Sequence, residues 1–142
     1  MGTTLMRGLR FGAMGAALAL TLATPSHAQW HECKVKTIGN DMNWISKQIY
    51  IDIASDSSAV TVTDGTIQYY NGEKAEVQAK ITKSSDDRLV FRWFVDAIST
   101  TQKTVRMTYI ATFFRDTKKI SIFAKDGAYI EEHIGRGVCA PY

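Results

Sequence analysis

Apolar and polar residues alternate along most of the chain beyond residue 28, and the alternation is strictest over residues 88–114. In residues 88–96, Leu89, Phe91, Trp93 and Val95 share one side; in residues 104–114, Val105, Met107, Tyr109, Ala111 and Phe113 share another. Period two is the signature of half-buried strands. A turn near Thr100 in the connection predicts an antiparallel hairpin pairing Val95 with Val105, Trp93 with Met107, Phe91 with Tyr109 and Leu89 with Ala111.

The same rhythm runs on either side. Residues 30–37 read as a first strand, with His31, Cys33 and Val35 on one face, broken by Gly39-Asn40-Asp41. Ile45, Ile49, Ile51 and Ile53 then alternate with Ser46, Gln48, Tyr50 and Asp52. Val60 and Val62 follow, and Asp64-Gly65 predicts a two-residue hairpin turn. A return strand with Ile67 and Tyr69 is expected, ending at a second turn, Asn71-Gly72.

Residues 74–82 set Ala75, Val77, Ala79 and Ile81 against Lys74, Glu76, Gln78 and Lys80. These residue types also favour helix, but the strict alternation decides for strand. Ile120 and Ile122 mark a further strand, Asp126-Gly127 a third tight turn, and residues 128–134 the last strand. Gly135-Arg136-Gly137 is expected to bend the chain back. The result is an all-β domain: a small antiparallel meander of eight or nine strands, forming an up-and-down barrel or strongly curled sheet. A Greek-key β-sandwich is the alternative.

Composition changes this picture at the N-terminus. Arg7 and Arg10 precede a short apolar run, and Ser26-His27-Ala28 fits a small-x-small cleavage site, so residues 1–28 read as a cleaved secretory signal peptide. That leaves residues 29–142 as a single β-domain with no transmembrane segment, periplasmic or secreted. Its charge falls to +1, because Arg7 and Arg10 account for two of the 17 basic residues against 14 acidic ones. Near-neutrality gives no argument for nucleic acid.

Cys33 and Cys139 are the two cysteines, and in an oxidising compartment they predict a disulfide. Such a bond sets the first and last strands side by side, with Cα atoms roughly 4.4–6.8 Å apart. His31, Glu131, Glu132 and His133 are drawn towards the same place, but without paired metal-ligand spacing they predict no metal site. No Gly-x-Ser-x-Gly and no Gly-rich phosphate loop occurs. Asp86-Asp87 and Glu131-Glu132 are adjacent on the chain, so in strands they point to opposite faces. No catalytic residue and no cofactor is expected.

The other face of the 88–114 hairpin carries Val90, Arg92 and Phe94 on one strand and Arg106, Ile110 and Phe114 on the other. Apolar and aromatic residues beside arginine suit a protein-binding face, unless a loop or a second sheet covers them. A non-enzymatic domain that binds an unidentified protein partner there, as an inhibitor or accessory subunit, is the first expectation. The alternative is a carrier whose interior, lined by Tyr69, Phe91, Trp93 and Tyr109, holds a small apolar ligand.

Overall fold

The structure, a computed structural model, describes residues 29–39, 43–127 and 132–142. The predicted signal segment lies outside these residues, as do residues 40–42 of the break after the first strand and 128–131 at the start of the predicted last strand. The elements in chain order are β1 (Gln29–Ile38), β2 (Gln48–Ile53), β3 (Val60–Asp64), α1 (Gly65–Asn71), β4 (Val77–Ser84), β5 (Arg88–Ile98), β6 (Thr104–Phe114), β7 (Lys119–Asp126) and β8 (Glu132–Pro141). Each strand pairs antiparallel with the next, and β8 returns to β1. The fold is therefore an eight-stranded closed barrel in meander order rather than a Greek key. Among the described residues no helix is long and apolar enough to cross a membrane.

Alternation places the core. The inward positions Leu89, Phe91, Trp93, Val95, Met107, Tyr109, Ala111 and Phe113 are all buried, together with Ile49, Ile51, Val60, Val62, Ile120 and Ile122. The rings stack along the barrel: Trp93 lies 5.2 Å from Tyr109 at an interplanar angle of 6°, and Phe91 6.0 Å from Trp93 at 24°. Burying each such side chain contributes about 1.5–3 kcal/mol. Burial pushes the Tyr109 phenol well above its ordinary range, and its hydroxyl donates to the Trp44 carbonyl at 2.8 Å, tying the loop after β1 across the barrel mouth.

Three local expectations are corrected. Asp64-Gly65 does not turn a hairpin; it opens α1, and the expected return strand through Ile67 and Tyr69 is a helix. The Asp64 carboxylate accepts from the Ile67 N–H at 2.8 Å as N-cap, and the fully buried Ile67 joins the core cluster that also holds Ile45. Gly72, at φ 113°, ends the helix. Secondly, the β5–β6 register is displaced by two residues. Val95 faces Met107, Trp93 faces Tyr109, Phe91 faces Ala111 and Leu89 faces Phe113, because the loop centres on Thr101, with Gln102 at φ 58°. A two-residue slip leaves every side chain on its predicted face.

Thirdly, Gly135 and Gly137 do not bend the chain but lie within β8, against β1. A Cβ at Gly137 would overlap the Lys34 carbonyl and lie 3.0 Å from the Val35 Cα, so only glycine lets β8 come this close. Cys33 and Cys139 face each other across this seam with an S–S bond of 2.03 Å. Their Cα atoms are 3.9 Å apart, nearer than expected, in keeping with the close approach beside Gly137.

Asp64 gives the barrel mouth a pH dependence. It is 3% exposed, and burial holds its carboxyl above the ordinary value against the lowering by the Ile67 and Thr66 N–H groups and the Ser46 hydroxyl. The stability carried by a raised carboxyl is complete below its unfolded value and is lost as pH rises through the raised native value. Asp64→Asn keeps a capping acceptor and removes the ionisation. Its unfolding free energy in urea is expected to fall less than that of the wild type between about pH 4 and about pH 7. Equal falls would show that Asp64 titrates as it does unfolded.

Candidate functional site

β5 and β6 present their second face outward because their first face is the core. On β5 this places Arg88, Val90, Arg92, Phe94 and Asp96 outside; on β6 it places Arg106, Thr108, Ile110, Thr112 and Phe114. The register brings Arg92 opposite Ile110, Phe94 opposite Thr108, Val90 opposite Thr112 and Asp96 opposite Arg106. The pairs expected from a turn near Thr100, Phe94 with Arg106, Val90 with Ile110 and Arg92 with Thr108, are each displaced by two residues.

The displacement builds a different cluster from the same side chains. Arg106 now faces Asp96 and donates to it twice, from Nε at 2.8 Å and from a terminal nitrogen at 3.1 Å. That contact holds the Asp96 carboxyl below the usual carboxylate range. The anchored Arg106 guanidinium lies 5.4 Å from the Phe94 ring centre, and the Arg92 guanidinium 5.8 Å from it. Both are within cation–π range. Phe94 is 42% exposed between them. Arg92 Nε is buried without a hydrogen-bond partner. At the far end of the hairpin, the Arg88 guanidinium lies 5.7 Å from the Phe114 ring. Val90, Arg92, Ile110 and Phe114 are half-buried. All six predicted partner-binding residues are thus on one outer face, with Phe94 and the two arginines in direct contact.

The sequence reading missed how far the apolar part extends. Ile110 faces Phe123 on β7, Phe123 faces Ile134 on β8, and Ile134 faces Ile38 on β1. One row of apolar side chains therefore passes outward over four strands, with Ile134 37% and Ile38 53% exposed. Only the β8–β1 closure makes Ile38 a neighbour of this row. Basic side chains flank it. Lys80 faces Arg92, Lys125 faces Thr108, and Arg136 lies between Ser121 and Lys36. Asp96 and Glu132, the latter opposite Lys125, are the acidic residues among these positions. The near-zero net charge of residues 29–142 conceals a basic side.

The predicted interior group is only partly brought together. Phe91, Trp93 and Tyr109 pack on one another in the core, whereas Tyr69 stands outside on α1, 81% exposed and edge-on to Tyr70. Both sulfur atoms are in the disulfide, and His31 is buried against Phe113 with its ring centre 5.7 Å away. Burial holds the His31 imidazole below its ordinary value. His133 faces Ala124 on β7, at the opposite end of β8 from Pro141, the partner of His31. Among the described residues no three His, Cys, Asp or Glu side chains converge as metal ligands. No family model matches the chain, nor does any curated protein or solved structure.

Proposed function

We propose that the protein is a non-enzymatic, exported binding domain that engages another protein through the outer face of β5 and β6. One observation carries this reading: Phe94, half-exposed, is held between the Arg92 and Arg106 guanidinium groups, and Arg92 in turn faces Ile110, the start of an apolar row that continues through Phe123 and Ile134. A ring kept rigid by flanking cations loses little freedom on contact, and aromatic–arginine clusters are enriched at the centres of protein interfaces. The basic flank supports a partner with an acidic surface. A disulfide is consistent with an oxidising, exported compartment, which supports removal of residues 1–28 and a periplasmic or secreted product. Carriage of a small apolar ligand inside the barrel is the second reading. It has less support, because Phe91, Trp93 and Tyr109 fill the interior against each other.

The test is Phe94→Ser. Removing a ring that is already partly in water costs about 1–1.5 kcal/mol, so the variant is expected to stay folded. Native mass spectrometry of protein recovered from the export compartment should show a heteromeric species for the wild type and for the remote control Gln78→Ala. The species should be missing for Phe94→Ser. Its persistence in the Phe94 variant removes this face from consideration, and bound mass of a few hundred daltons instead favours the carrier.

A further inference from the structure

At the other end of β1 from Lys36 and Ile38, the outer faces of β1, β2 and β3 form a pocket of about 390 Å³ lined by Trp30, Tyr50, Thr63, Glu76 and Tyr142. Its geometry follows from the ladder. Trp30 faces Asp52 and Glu32 faces Tyr50, which sets the Trp30 and Tyr50 rings diagonally on adjacent strands. The Tyr142 N–H donates to the Trp30 carbonyl at 2.9 Å and so continues the β8 seam. Its ring meets Tyr50 edge-on at 5.1 Å, and it is 78% exposed. Thr63 donates its hydroxyl to the Ala75 carbonyl at 2.6 Å, which brings the segment carrying Glu76 to the rim.

Three aromatic rings thus border one pocket whose charged lining residue is a carboxylate, and among the described residues no lysine or arginine lines it. The flanks add further negative charge. Glu32 lies opposite Tyr50 and is held by Gln48 Nε2 at 3.1 Å, and Asp52 lies opposite Trp30 with a buried carboxylate oxygen that has no hydrogen-bond partner. Lys34, beyond Glu32 on β1, is the nearest cation along that strand. An anion is repelled here, and a small hard cation gains little from ring faces. A soft organic cation gains from both the ring quadrupoles and the carboxylates, and the volume is that of a small-molecule site.

We infer that the Trp30–Tyr50–Tyr142 pocket binds a quaternary ammonium group, with the rings around the methylated head and Glu76 facing its charge. This site is independent of the β5–β6 face. The same head group occurs on free choline-like solutes and on phosphocholine lipids, and the experiment separates the two.

Calorimetric titration of the purified, disulfide-bonded protein with choline and with tetramethylammonium should show saturable binding. The uncharged isostere of choline, 3,3-dimethylbutan-1-ol, should bind at least about tenfold more weakly. Tyr142→Ala, which removes an exposed ring, and Glu76→Gln should each weaken choline by about threefold or more with unchanged melting. Co-sedimentation with phosphatidylcholine but not phosphatidylglycerol vesicles, displaced by free choline, assigns the head group to lipid. Choline binding without co-sedimentation assigns it to a free solute. The inference is overturned by an isostere as tight as choline, by variants that bind like the wild type, or by no choline binding up to roughly 10 mM.

Discussion

Replacing both cysteines, as Cys33→Ala with Cys139→Ala, is expected to lower stability by about 4–5 kcal/mol and melting by roughly 15–25 °C. The bond joins residues 106 apart, so without it the unfolded chain regains the freedom of a loop nearly as long as the domain, and chain entropy sets the cost at about 4.7 kcal/mol. The folded state changes less. Cys33 and Cys139 are 0% and 3% exposed and sit in register within the β1–β8 ladder, so alanine keeps the pairing and opens a small void. The variant is preferred to a reductant, since buried sulfur is reached only after local opening. Urea unfolding measures the difference. A loss under about 1 kcal/mol would show that the ladder alone holds the barrel closed.

Gly137→Ala is expected to do comparable damage through one methyl group. Its Cβ is directed into the Lys34 carbonyl and the Val35 Cα, which are backbone atoms with no rotamer to relieve the overlap. Either β8 withdraws from β1, breaking the pairs from Lys34–Val138 to Thr37–Gly135, or β1 is pushed inward onto the core. A cost above about 3 kcal/mol follows. Gly65→Ala is the control. Its nearest neighbour is Ser46 Oγ at 3.8 Å, and alanine at the start of α1 should be neutral or stabilising by up to about 1 kcal/mol. Because Cys139 is two residues from Gly137, the two seam defects should be non-additive. A thiol assay of Gly137→Ala checks this directly: unpaired Cys33 and Cys139 are expected after oxidative refolding. Full disulfide content with wild-type melting would show that β8 has slack at this point.

The parts of the fold legible in sequence are those fixed by short-range periodicity. Leu89, Phe91, Trp93 and Val95 could be assigned to one face because period two needs no knowledge of partners, and two cysteines in one chain allow one pairing. What could not be read depends on competition or distance. Asp64-Gly65 serves equally as a hairpin turn and as a helix start. The helical outcome is decided by Ile67 joining the core cluster, a tertiary contact. The β5–β6 register hinges on a positive φ at Gln102, which no glycine announced. Of the candidate face, the residues on β5 and β6 were legible, while Phe123, Ile134 and Ile38 were not, because they join it only through β7, β8 and the closing seam. The Trp30–Tyr50–Tyr142 group escaped notice for the same reason: its members are far apart in the chain.

The seam also fixes how the barrel bears a load. Residues 29 and 142 leave it at the same end, where Tyr142 bonds to Trp30, so a pull on the two ends opens the β1–β8 ladder like a zipper, one hydrogen bond at a time, and not in shear. The tear arrives almost at once at Cys33–Cys139. Residues 29–32 and 140–142, seven in all, yield at most about 25 Å of slack. Past that point tension runs through the covalent bond, and the strands between β1 and β8, with the faces they present, feel none of it.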